Sequence, residues 1–173
     1  MIIFTDGSHS TKPRMSGLGA VILYKDREHT FGTYTNKCRD NNVAEIAAIA
    51  MAVQYIQDNK IVDRMEDKTI TIVSDSETAL RKINQKSEGQ DDFERACLDY
   101  IQEFLSFTKK KINFMQIKGH IHDGTKLSHY NNVADDLAGD YRRLGLELQR
   151  ERTGKKHRNN YHHLIRFKNK KEK

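Results

Sequence analysis

Four carboxylates stand out in this chain by their surroundings: Asp6, Glu45, Asp75 and Asp135. Asp6 follows a short apolar run and precedes Gly7. Glu45 is the one charged residue from Val43 to Val53, where ten of eleven positions are apolar. Asp75 closes a run in which Thr alternates with Ile or Val. Asp135 sits within Asn131-Asn132-Val133-Ala134-Asp135-Asp136-Leu137-Ala138. Burying a lone carboxylate is costly unless something pairs with it, so Glu45 calls for a partner. Should the first and fourth strands be neighbours, Asp6 and Asp75 lie side by side at one sheet edge. Carboxylates that close raise one another's pKa unless cations sit between them. Hard divalent cations with oxygen ligands, Mg²⁺ or Mn²⁺, fit that need. Two such ions about 3.5–4 Å apart activate a water and stabilise the leaving oxygen of a phosphodiester. Each acid also has an ordinary explanation: a turn former for Asp6, a helix cap for Asp75, a first-turn acid for Asp135.

The elements that must carry these residues follow from hydrophobic pattern. Residues 2–5 read as a strand, 9–16 as a turn containing the only Pro, and 18–24 and 29–35 as two further strands. Short turns between them predict an antiparallel meander. Residues 42–58 form a helix buried on most sides. A fourth strand spans 69–74, and Asp75 or Ser76 caps a helix running to 84. Apolar spacing places a helix at 92–107. A fifth strand follows at 112–117, then a polar loop at 119–131 and a last helix at 132–148. The order β-β-β-α-β-α-α-β-α predicts an α/β fold, a mixed five-stranded sheet flanked by helices.

Composition narrows the function classes. The 173 residues suit one domain, taken here as 1–148, with a tail at 149–173. Residues 150–173 carry +8 of charge, which leaves the first 149 at −2 against a total of +6. Such a tail suits either a polyanionic partner or a solvated end. No apolar run approaches the roughly 20 residues of a membrane helix, and the N-terminus lacks the pattern of a signal peptide. Two cysteines, Cys38 and Cys97, imply no disulfide framework, so a cytoplasmic setting is expected.

Taken together, the segments resemble the type I ribonuclease H family. The likeness runs from Met1 to about Leu144 and rests on five motifs in the family's order. These are Thr5-Asp6-Gly7-Ser8, Asn41-Asn42-Val43-Ala44-Glu45, Ser74-Asp75-Ser76, Lys118-Gly119-His120, and the Asn131 to Ala138 segment quoted above. The resemblance implies three antiparallel strands followed by two parallel ones. It implies that Asp6, Glu45, Asp75 and Asp135 are catalytic and hold two Mg²⁺ ions, Mn²⁺ being the alternative, at the scissile phosphate. The substrate would be the RNA strand of an RNA–DNA hybrid, cut by a monomeric enzyme to leave 5′-phosphate and 3′-hydroxyl ends. His120 would transfer a proton or help product leave. Gly7, Asn41, Asn42 and Glu77 would contact the minor groove, where the 2′-OH distinguishes RNA from DNA.

Three departures accompany the resemblance. The loop between His120 and Asp135 is about five residues longer than usual, so His122 and His129 are rivals for the mobile histidine. Asp40 stands where relatives often have a Thr that helps hold a DNA phosphate. No basic helix separates residues 84 and 92, and the tail from residue 150 onward is a candidate replacement for that grip. Met1 just before the first strand fits a free-standing enzyme rather than a piece of a reverse transcriptase. The same fold also occurs in transposases, integrases, resolvases and exonucleases. A non-catalytic nucleic-acid-binding module is the alternative outside enzymes.

Overall fold

The computed structural model describes residues 1–66, 68–119 and 123–154. Its order is β1 (Ile2–Thr11), β2 (Arg14–Tyr24), β3 (Arg27–Thr35), α1 (Asn41–Asp58), a 3₁₀ turn (Val62–Arg64), β4 (Thr69–Ser74), α2 (Glu77–Asn84), α3 (Asp92–Phe107), β5 (Lys111–Gln116) and α4 (Lys126–Gly154). The five strands form one sheet in the order β3-β2-β1-β4-β5. β1 pairs with β2 and β2 with β3 antiparallel, whereas β1–β4 and β4–β5 are parallel. This is the expected mixed sheet. No helix of the described residues is long and apolar enough to cross a membrane.

Strand alternation sends successive side chains to opposite faces, and each face has its own helices. Ile3, Leu18, Ala20, Ile22, Ile70 and Ile72 join the core shared with α1, α2 and α3. Phe4, Val21 and Val73 meet Ala134 of α4 on the other side, with Tyr130, Val133 and Leu137 packed around them. All of α1 from Val43 to Val53 is buried, as its sequence predicts. Each Ile or Val withdrawn from water there contributes about 2 kcal/mol. α4 rests on the β2 backbone at two points, Gly17 and Gly19, where the strand offers no side chain beneath it. A Cβ on Gly17 would overlap the Ala138 carbonyl, and one on Gly19 would overlap that of Ala134. Those two glycines let a helix backbone rest directly on a strand.

Three boundaries differ from the sequence reading. The expected turn at 9–16 is mostly ladder: β1 continues to Thr11 opposite Arg14, and only Lys12-Pro13 turns. The small polar residues there sit comfortably in a strand, while Pro13 cannot donate to the ladder. The last helix begins at Lys126, six residues before the expected start. Thr125 caps it, its hydroxyl accepting from the Ser128 N–H at 3.2 Å, and Asp123 accepts from the Thr125 N–H at 2.9 Å. The polar first turns stay helical because Tyr130 packs on Phe4, with ring centroids 5.6 Å apart. At its other end α4 runs to Gly154, so the start of the expected tail continues a helix.

Candidate metal and phosphodiester site

Parallel pairing of β1 with β4 sets the first two acids. Phe4 stands opposite Val73, so two residues onward Asp6 and Asp75 emerge side by side. Glu45 arrives from the second turn of α1. It can do so because residue 7 is glycine: a Cβ there would overlap the Ala44 carbonyl and the Glu45 nitrogen. Oxygens of Asp6, Glu45 and Asp75 thereby lie within 4.8 Å of one another. Asp135 comes down from α4 as another wall of the same cleft. The cleft has a volume of about 350 Å³ and is lined by Asp6, Gly7, Ser8, Asn41, Glu45, Asp75, Ser76 and Asp135.

The electrostatics follow from this crowding. Burial, then the charges of Asp135 and Asp75, push the Asp6 carboxyl up to about 7. Glu45 is only 4% exposed. Burial raises its pKa well above the carboxylate range, helped by Asp6, Asp75 and Asp135 and partly opposed by a hydrogen bond from the Gly7 N–H. Its Oε1 also receives the Asn41 amide at 3.5 Å. Its Oε2 is buried with no hydrogen-bond partner. A hard cation answers both features, supplying the missing partner and offsetting the repulsion. The residues present therefore fit a divalent cation with oxygen ligands.

The remaining expected residues divide. Gly7 and Asn41 line the cleft, whereas Asn42 and Glu77 are exposed on the first turns of α1 and α2. The Asp40 carboxylate, expected to disturb a phosphate pocket, caps α1 by accepting from the Val43 N–H at 2.9 Å. His120 and His122 lie outside the described residues. Gly119, one residue before His120, lies beside the Asp75 carboxylate, which a Cβ at that position would displace. His129 is in the first turn of α4, edge-on to Tyr130, and does not line the cleft.

One buried acid escaped the sequence reading. Glu94 is fully buried beside the α1 N-terminus and accepts from Lys82 Nζ at 2.6 Å, Arg39 at 2.8 Å and the Gln90 N–H at 2.8 Å. Burial alone would raise its pKa, yet these three donors hold it below the usual range. Arg39 also reaches Asp40 at 3.0 Å and Asp91 at 2.9 Å. Because Asp40 and Asp91 cap α1 and α3, the cluster ties together the starts of both helices. The available signal was Asp91 three residues before Glu94, a helix-start pattern.

Comparison with known proteins places this geometry. The RNase H family profile matches residues 1–143. A ribonuclease H from Chlorobium phaeobacteroides is 27% identical over 142 residues, covering 80% of this chain and 92% of the relative. One from Caldicellulosiruptor saccharolyticus is 26% identical over 148 residues, covering 80% and 92%. Among solved structures, LC11-RNase H1 in complex with an RNA/DNA hybrid superposes with a TM-score of 0.65 at 22% identity, covering 84% of this chain and 98% of that one.

Proposed function

Because this chain belongs to the ribonuclease H family, we propose that it hydrolyses the RNA strand of RNA–DNA hybrids. The observation that carries the proposal is the trio of carboxylates within 4.8 Å, one of them with a buried oxygen lacking a partner. Asp6, Glu45, Asp75 and Asp135 would hold two divalent cations, Mg²⁺ or Mn²⁺. The chemistry such ions supply when bound is Lewis acidity toward the phosphodiester and a lowered pKa for the attacking water. Hydrolysis adds water to phosphorus and breaks the bond to the 3′-oxygen, leaving 5′-phosphate and 3′-hydroxyl ends.

The chain's own residues act around that centre. The Gly7 N–H and the Asn41 amide favour an ionised Glu45. Gly7, Asn41, Asn42 and Glu77 are the proposed minor-groove contacts, with His120 the proposed proton carrier. Residues 150–173 are the proposed extra grip on phosphates. We assign the protein to the cytoplasm as a monomer, a setting that suits its two free, buried cysteines.

The test is cleavage of a labelled RNA–DNA hybrid in Mg²⁺ or in EDTA, with duplex DNA and duplex RNA as controls. Cutting confined to the RNA strand of the hybrid, lost in EDTA and in Asp75→Asn, is expected. Binding without cleavage by the wild type would instead identify a non-catalytic module. Activity surviving Asp75→Asn would mean the metal site lies elsewhere.

A further inference from the structure

Glu45 reaches its cleft on a flexible side chain, and something must decide which oxygen it presents. Asn41 stands four residues earlier on α1, hence on the same helix face. The orientation of its amide is dictated by its neighbours. The His9 backbone N–H lies 3.1 Å from Asn41 Oδ1, and an N–H can only donate, so the oxygen must face β1. The amide nitrogen is thereby turned toward Glu45, 3.5 Å from Oε1. Oε2 is left buried and without a hydrogen-bond partner in a cleft shared with Asp6 and Asp75. β1, Asn41 and Glu45 thus form a short relay that begins at the hairpin backbone and ends at one carboxylate oxygen.

We propose that Asn41 is a positioning residue for the cation site: anchored to β1 through His9, it occupies Oε1 of Glu45 and presents Oε2 to the metal. This rests on the metal-dependent reading above and deepens it. A residue that only touched nucleic acid would leave metal affinity unchanged when no nucleic acid is present. A residue that orients a metal-ligating carboxylate changes that affinity directly.

The experiment is a calorimetric titration of Mn²⁺ into the nucleic-acid-free protein, comparing wild type with Asn41→Ala, Asn41→Ser and Glu45→Gln. Circular dichroism of the metal-free proteins checks the fold; Asn41 is exposed in the first turn of α1, and the cap itself is Asp40, so neither change removes core packing or the cap. Either Asn41 variant should bind Mn²⁺ about ten-fold more weakly than wild type, at the lower end for loss of a ligand's hydrogen-bond partner. Glu45→Gln should bind more weakly still. Unchanged affinity in a folded Asn41 variant, with Glu45→Gln impaired, overturns the positioning role and leaves the metal reading intact. A wild type that binds no Mn²⁺ overturns the metal reading and this proposal with it.

Discussion

Replacing Asp6 by Asn should make the metal-free protein more stable while destroying its activity. Asp6 is 5% exposed, and its pKa rises from 3.8 to about 7 on folding. Between those two values the folded state keeps a proton that the unfolded state has already lost. Stability therefore falls as pH rises through that window and levels off above it. The rise corresponds to about 4 kcal/mol, at about 1.4 kcal/mol per pH unit. An amide mimics the protonated acid in shape and charge, so wild type and Asp6→Asn should match near about pH 4 and separate by up to about 4 kcal/mol near about pH 8. The assay is urea denaturation in EDTA at both pH values, analysed by linear extrapolation. Adding Mg²⁺ at the higher pH should close most of the gap, since a ligand at about a hundred times its Kd adds about 2.7 kcal/mol to a state that binds it. An Asn variant no more stable than wild type near about pH 8, or a gap independent of pH, would refute the account of repulsion and burial.

Other expectations follow from the packing around the site. Gly7→Ala should cost at least about 2–3 kcal/mol in urea denaturation, because the added methyl meets the α1 backbone; unchanged stability would mean that α1 is not seated on β1 as described. Glu94→Gln strips the charge partner from Lys82 and Arg39 and should destabilise by about 2–3 kcal/mol, less than a fully isolated pair because Arg39 keeps Asp40 and Asp91. Its pKa is lowered on folding, so this contribution is present above the ordinary carboxylate range and lost as pH falls through the folded value; the gap between wild type and variant should narrow on acidification. Removing residues 155–173 should weaken hybrid binding and flatten its salt dependence, measured by fluorescence anisotropy across a salt series. An unchanged affinity and slope would leave the tail without a role in binding.

What could be read in advance depended on how local the signal was. Glu45 announced itself because an acid in an apolar helix is expensive, and Asp6 and Asp75 because each follows an apolar or β-branched run and precedes a glycine or serine, although β1 continues past Asp6 to Thr11. Their meeting needed the parallel pairing of β1 with β4, which the sequence left as a condition and the sheet order supplies. The start of α4 was hidden because Lys126 to Asn131 look like a loop until Phe4, more than 120 residues away, provides a surface for Tyr130. The hairpin was underestimated because Ser and Thr serve turns and edge strands alike. The Glu94 cluster draws on the residues leading into α1, on α2 and on α3 together, and lies scattered from Arg39 to Glu94 in the sequence.

The contact of Gly17 and Gly19 with the α4 backbone has a consequence for anyone seeking a hardier protein. Substituting glycines with alanine is a standard route to thermostability, because it limits the freedom of the unfolded chain. Here Gly17 and Gly19 are the wrong targets. A methyl at either position would lift the helix that delivers Asp135, and neighbouring side chains could not relax to absorb it, because the obstacle is backbone on both sides. Stabilising changes belong away from these helix–strand contacts, in the exposed connecting turns.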